Sequence, residues 1–292
     1  MRKIIFSAIA LFVSLSLNAQ ILYKISGNGA KGESYVMGTH HLAPISILDS
    51  IAGFDVAISS VDAVYGEIEQ SEMNSPTSVQ KMMSMATAPA DSTLSKVFSK
   101  EQYDSIDIVI KKYSKGMVSL NALEAMKPAM VSQQLTLFMS MQVIPGFNPM
   151  QQLDSYVQQI GSQKGKSIYG FETVDFQLDI LMGDYIAKQA EDLLEAVRNE
   201  DKLNTTSIEL YHAYMNQDID KVLELMLCPD SGMDSEAEKI LLTDRNENWA
   251  SQLQQIMPHK SVFVCVGAGH LPGEKGLLNL LRQAGYTITP IY

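Results

Sequence analysis

Cysteine is nearly absent from this 292-residue sequence, which has two, Cys228 and Cys265. That excludes a small fold stapled by disulfides. Cys265 lies in the apolar run VFVCV (262–266), where a free thiol behaves as a small buried hydrophobe, so neither a bridge nor a cysteine metal site is expected. Basic residues are short as well, with 22 Lys and Arg against 33 Asp and Glu. The resulting net charge of −11 repels nucleic acid and anionic membrane surfaces at long range, so no nucleic-acid partner is expected. Beyond the N-terminal segment, no stretch stays apolar for the roughly 20 residues that a spanning helix needs, so the chain is not expected to be a transmembrane protein. No H-E-x-x-H, G-x-S-x-G or calcium-loop spacing occurs. Two glycine patterns fail on inspection. Gly161, Gly165, Lys166 and Ser167 are too closely spaced for a phosphate loop and lead into a strand instead of a helix. In the other, Pro272 stands where a dinucleotide fingerprint beginning at Gly267 and Gly269 carries its third glycine.

What is present is a globular composition, 46% apolar and 19% charged, long enough for one or two domains of about 150 residues. Arg2 and Lys3, an apolar run over 4–17 and a small residue at Ala19 form the pattern of a secretory signal peptide. Residues 1–19 are therefore set aside, and the product is expected to be exported, periplasmic or secreted, as a single domain over 20–292. Four stretches read as buried strands: 34–37 (SYVM), 63–67 (AVYGE), 167–171 (SIYGF) and 261–266 (SVFVCV). Each is short and nearly continuous in apolar character, as in strands covered on both faces. A fifth, 286–291, closes the chain. Helical patterns lie between them, over 44–60, 148–163, 174–200, 206–216, 219–227, 234–257 and 274–284. The alternation predicts an α/β fold, a central and mostly parallel sheet wrapped by helices. The Met-rich stretch 74–144 reads as a helical insertion, its methionines serving as core filler or as a soft ligand groove.

Each of the four strand readings ends in, or runs into, a residue able to bind a metal or move a proton. SYVM leads to His40 and His41, AVYG to Glu67 with Glu69 beyond, SIYGF to Glu172, and SVFVCV to His270. Ligands of open α/β sheets bind at the carboxyl ends of the strands, so these groups are expected to converge on one cleft. GTHHLAP (38–44) and GAGHLPG (267–273) share Gly-x-x-His-Leu with a proline close behind, a match that hints at internal duplication. Neutral imidazole and carboxylate are the ligands of hydrolytic sites in which a divalent ion acidifies water. His41 and His270 are the preferred ligands, with Glu67 and Glu172 as ligand or general base. His40 competes with His41, since alternation along an extended chain sends only one of the pair into the cleft. Arg245, with Asn246 and Trp249 close by in RNENWA (245–250), is either a salt bridge at a helix start or a fixed guanidinium for a substrate carboxylate or oxyanion.

GTHHL (38–42), YGEIE (65–69), YGFETVDFQ (169–177), RNENWA and above all VGAGHLPGEKGLLNLLRQAGYTITPI (266–291) carry a family likeness. The chain resembles the TraB/GumN family, bacterial relatives of the Tiki metalloproteases within a superfamily of erythromycin-esterase-like and ChaN-like proteins, over nearly all of 21–292. The resemblance implies that the paired Gly-x-x-His motifs map to His41 and His270, the strand-end acids to Glu67 and Glu172, and the Arg-Asn pair to Arg245 and Asn246. Phe171 replaces the leucine common before the second acid. The implied activity is that of a divalent-metal-dependent peptidase with a manganese-, cobalt- or zinc-class ion, acting on a peptide or small ester. The alternatives are a metal-free esterase-like hydrolase with His41 as base, and a non-catalytic protein binding haem or a peptide.

Overall fold

The computed structural model describes residues 20–228, 231 and 233–292; the expected signal peptide lies outside them. Six strands, β1 (Leu22–Ser26), β2 (Ser34–Thr39), β3 (Ala63–Gly66), β4 (Ser167–Gly170), β5 (Val262–Gly267) and β6 (Thr287–Pro290), form one sheet in the order β4-β3-β5-β2-β1-β6. The neighbouring pairs among β4, β3, β5 and β2 are parallel. β1 runs antiparallel to both β2 and β6. The fold is α/β, with helices on the sheet as the alternation of patterns implied. β2 is buried at every position and β5 at all but its last, which explains their unbroken apolar sequence.

Two strand expectations change. β1 escaped notice because LYKIS is short and carries Lys24; it is held by a hairpin turn in which Gly27, Asn28 and Gly29 all have positive φ. β4 is an edge strand with alternate exposure rather than a strand covered on both faces. Its apolar character serves aromatic contact instead: Tyr169 stacks on Tyr65 at 5.0 Å, and the Lys260 ammonium lies 4.9 Å from the Tyr169 ring centre.

Several helical patterns are broken by identifiable residues. The 44–60 pattern becomes a 3₁₀ turn (Ile45–Ser50) and a helix (Phe54–Ser60) separated at Gly53, whose φ of 74° favours glycine. The 174–200 pattern divides around Gly183 into Val174–Met182 and Ile186–Arg198. The 234–257 pattern contains a π-helical turn, Lys239–Thr243, immediately before the helix Asp244–Ile256.

The main core is built on the sheet and includes Trp249, Tyr214 and Phe263, each fully buried. A second core gathers Leu94, Ile106, Ile110, Val131, Leu135 and Met139 with Leu193 and Val197. The stretch 74–144 is thus helical and packs on the later helix Ile186–Arg198. Of its methionines, Met82, Met85, Met126, Met130 and Met139 pack in cores, and Met83, Met117 and Met141 are exposed. Among the described residues, no helix is long and apolar enough to cross a membrane.

Candidate active site

Register places the site. Thr39 pairs with Gly267, and Gly66 pairs with both Cys265 and Gly170, so the residues that follow these strands emerge together along one edge. Two further bonds, Phe171 N–H to Gly66 O and Glu172 N–H to Glu67 O, carry the β3–β4 ladder past its end and hold the two acids side by side.

Arg245 lies between those acids. Its Nε donates to Glu172 Oε1 at 2.8 Å, and its Nη2 donates to Glu172 Oε2 at 2.9 Å and to Glu67 Oε2. Nη1 reaches Leu241 O and His270 Nε2, both at 3.2 Å. Leu241 lies within the π-helical turn, and its carbonyl accepts from the side chain four residues on. Glu172 also accepts from the Trp249 indole N–H at 2.9 Å and from Gln177 Nε2 at 3.2 Å, so both of its oxygens are doubly bonded. Glu67 has room left, because its Oε1 accepts only the Gly267 backbone N–H at 2.9 Å and lies 4.0 Å from His270 Nε2.

The two motif histidines are anchored in the same manner. Asn246 donates through Nδ2 to Lys275 O, which turns its Oδ1 toward His270 Nδ1 at 2.7 Å. His270 therefore carries its proton on Nδ1, and its Nε2 presents a lone pair. His41 Nδ1 lies 2.7 Å from Asp154 Oδ2, and Asp154 Oδ1 accepts the Thr39 hydroxyl. His41 Nε2 is left for the cleft, where 60% of its side chain is exposed.

The local field separates these groups. Burial pushes His270 down to about 4, helped by Arg245 and His41 and opposed by Glu67. His41 moves the other way, up to about 9, chiefly because of the Asp154 carboxylate. For Glu67, burial alone favours the neutral acid, but His270, Arg245, His41 and the Gly267 N–H together hold it at about 2. Burial drives the Cys265 thiol well up, which removes it as a nucleophile.

Of the residues expected from sequence, His41, Glu67, Arg245 and His270 line one cavity of about 270 Å³. Glu172 lies behind Arg245, and Asn246 behind His270. His40 also lines the cavity, against the expectation that one histidine of the pair would turn away. Alternation ceases to apply because β2 ends at Thr39, and the chain then turns, with Ala43 N–H bonding back to His40 O. The His40 ring meets Tyr214 edge-on at 5.5 Å, and its buried Nε2 has no partner. Glu69 stands at the N-cap position of the next short helix without a side-chain capping bond, and its carboxylate accepts from Ser71. Asp154, Thr39 and Gln177 were not anticipated. Asp154 begins a helix, where an acidic residue ordinarily complements the helix dipole, and that setting hid its role.

A second cavity, of about 620 Å³, shares His41, Glu67 and Arg245 with the first. The donor set suits a divalent ion in kind, with two imidazole Nε2 atoms and a carboxylate, each imidazole backed by an oxygen acceptor. Among the described residues, however, no three His, Cys, Asp or Glu side chains are already grouped to hold one. Arg245 instead bonds to Glu67, Glu172 and His270 at once.

A family model described as the TraB/PrgY/gumN family matches residues 21–290. No curated protein and no solved structure matches the chain.

Proposed function

The chain belongs to the TraB/PrgY/gumN family, and from that premise we propose that it is an exported hydrolase, a divalent-metal-dependent peptidase related to the Tiki type. The observation that carries this reading is the matched anchoring of His41 by Asp154 and of His270 by Asn246, both at 2.7 Å through Nδ1. It leaves two Nε2 atoms and Glu67 on one cavity. Outer-shell acceptors of this kind fix the tautomer of metal-binding histidines and raise their basicity.

His41, His270 and Glu67 would hold the ion. Charge supports the choice. Asp154, Glu67 and Glu172 bring three negative charges, and Arg245 returns one positive; a divalent ion balances the remainder once His41 gives up its proton. The ion would supply Lewis acidity and a water acidified toward neutrality. Glu172, with both oxygens doubly bonded, holds Arg245 and is not free to serve as ligand or base. Arg245 Nη1 makes only the two 3.2 Å contacts, to Leu241 O and His270 Nε2. It is the donor best able to turn toward a developing oxyanion.

One observation favours a second reading. The His41–Asp154 pair has the geometry of a general base and its orienting acid, which would suit a metal-free esterase-like hydrolase. The two readings separate in one experiment. His41→Ala and His270→Ala are each expected to lose tight manganese, cobalt or zinc uptake by elemental analysis while keeping the native circular dichroism spectrum. Unchanged metal stoichiometry in both variants would remove the metal reading, and full hydrolytic activity after exhaustive chelation would favour the second.

A further inference from the structure

The two cavities meet at His41, Glu67 and Arg245, and they differ in size. The smaller arm, about 270 Å³, is walled by Leu210, Val222 and Met226. The larger, about 620 Å³, is more than twice that volume and is walled by Leu42, Ile68, Met73, Leu137, Phe147 and Leu181. Apart from the site's own His41, Glu67, Asp154 and Arg245, no described Lys, Arg, Asp or Glu lines either arm. The charge on these walls is thus confined to the site itself. Away from that junction, a charged side chain, or the free ammonium or carboxylate of a peptide end, would enter either arm without a counter-ion at a cost of roughly 2 kcal/mol or more. The polar groups on the walls are neutral. They include the amides of Gln133 and Gln152 and the Thr136 side chain. A side-chain amide offers both a donor and an acceptor, which matches the N–H and C=O of a peptide backbone.

One wall of the larger arm comes from the helix Pro128–Val143. Its Val131, Leu135 and Met139 face the second core, while Ser132, Gln133, Thr136 and Leu137 line the cavity. The helix is therefore both a packing element and a substrate wall.

We propose that the two arms form one groove for an extended, uncharged, internal stretch of polypeptide, its reacting bond at the His41, Glu67 and Arg245 junction and its selectivity set on the longer side by Leu137. The inference rests on the hydrolase reading for the word reacting, and on the cavities alone for the rest. Trp249 is the only tryptophan, fully buried with its ring 4.5 Å from His270, so its fluorescence reports occupancy independently of turnover. The probe is a Leu-, Ser- and Gln-containing octapeptide with acetylated and amidated ends, set against the same peptide with a central Lys and the same peptide with free ends. Saturable fluorescence change is expected for the blocked neutral peptide, with binding at least about tenfold weaker for the other two. Leu137→Asp should recover about tenfold for the Lys peptide by placing a counter-charge on the wall. Equal or tighter binding of the charged or free-ended peptides by the wild-type protein would overturn the groove, as would a folded Leu137→Asp protein with unchanged selectivity. Mass spectrometry of the same mixtures separates the two claims. Selective occupancy without cleavage sustains the groove and removes the hydrolase, and cleavage without selectivity does the reverse.

Discussion

Replacing Arg245 by methionine probes the charge balance on which the site is built. The variant keeps an unbranched apolar stem beside Trp249, whose ring centre lies 4.8 Å from the guanidinium carbon. It removes the one cation lying between Glu67 and Glu172. In the native protein the Glu67 carboxyl is held at about 2 against an ordinary 4.5. A depression of that size corresponds to about 3 kcal/mol of stabilisation. The sign follows from proton counting. Between pH 2 and 4.5 the unfolded chain binds the extra proton at this residue, so the contribution is fully present above 4.5 and disappears as pH falls toward 2.

In the metal-free variant two buried carboxylates share one Gln177 amide, 3.2 Å from an oxygen of each, with no guanidinium between them. Burial, the largest influence on Glu67 and one that favours its neutral acid, then acts without the Arg245 charge to oppose it and raises the Glu67 affinity for protons. The native state then no longer gains from ionising Glu67, and this residue stops adding stability as pH rises. Removing one partner of such a buried pair costs about 3–5 kcal/mol at neutral pH and less near pH 4, where Glu67 takes up a proton in the variant. Urea unfolding of both chelated proteins from pH 4 to 8, followed by far-ultraviolet circular dichroism, gives the difference directly. The wild-type advantage should widen with pH by about 2 kcal/mol or more. An advantage that stays flat or narrows would show that Arg245 does not hold Glu67 ionised.

Two further substitutions address single contacts. Asp154→Asn removes the charge behind His41 while keeping the side-chain shape, and should weaken divalent-metal affinity about 10–100-fold in a calorimetric titration of a protein that is still folded by circular dichroism; undiminished affinity would deny Asp154 an outer-shell role. Gly170→Ala puts a Cβ 2.6 Å from Glu69 N and 2.8 Å from Ile68 Cα, which are backbone atoms just past Glu67. It should cost about 1–3 kcal/mol and reduce activity by displacing that acid, and a wild-type melting temperature together with wild-type activity would contradict the packing described.

Much of the fold was legible because parallel strands buried on both faces must be apolar throughout, and such runs are visible in any sequence. β2, β3 and β5 were found in this way, and the residue after each run pointed to the cleft edge. The information that was missing is of two kinds. β1 is paired antiparallel near the sheet's far edge, where Lys24 reaches solvent and Glu33 at 2.8 Å, so its pattern is too mixed to stand out. Asp154 reaches His41 across 113 residues of chain, and nothing local distinguishes it from the acidic residues that begin other helices. Sequence motifs thus named the groups that face the cavity and left unnamed most of the groups that hold them there.

The distribution of the site over the fold follows from what each element does well. Glu67 and His270 lie within three residues of strands buried along nearly their whole length, and Glu172 follows the edge strand β4, which ladder bonds tie to buried β3 and beyond it to Glu67. Their spacing is therefore set by the same burial that stabilises the sheet. Arg245 comes from a helix entered through a π-helical turn, a local widening that recurs at functional sites in proteins, and its side chain bonds to the Leu241 carbonyl within that turn. The wall of the larger cavity comes from Pro128–Val143, a helix anchored in a separate core, so residues such as Leu137 can vary in size or charge without moving the strand ends. Chemistry is placed on the sheet edge, where position is over-determined, and selectivity is placed on the insertion, where it is not.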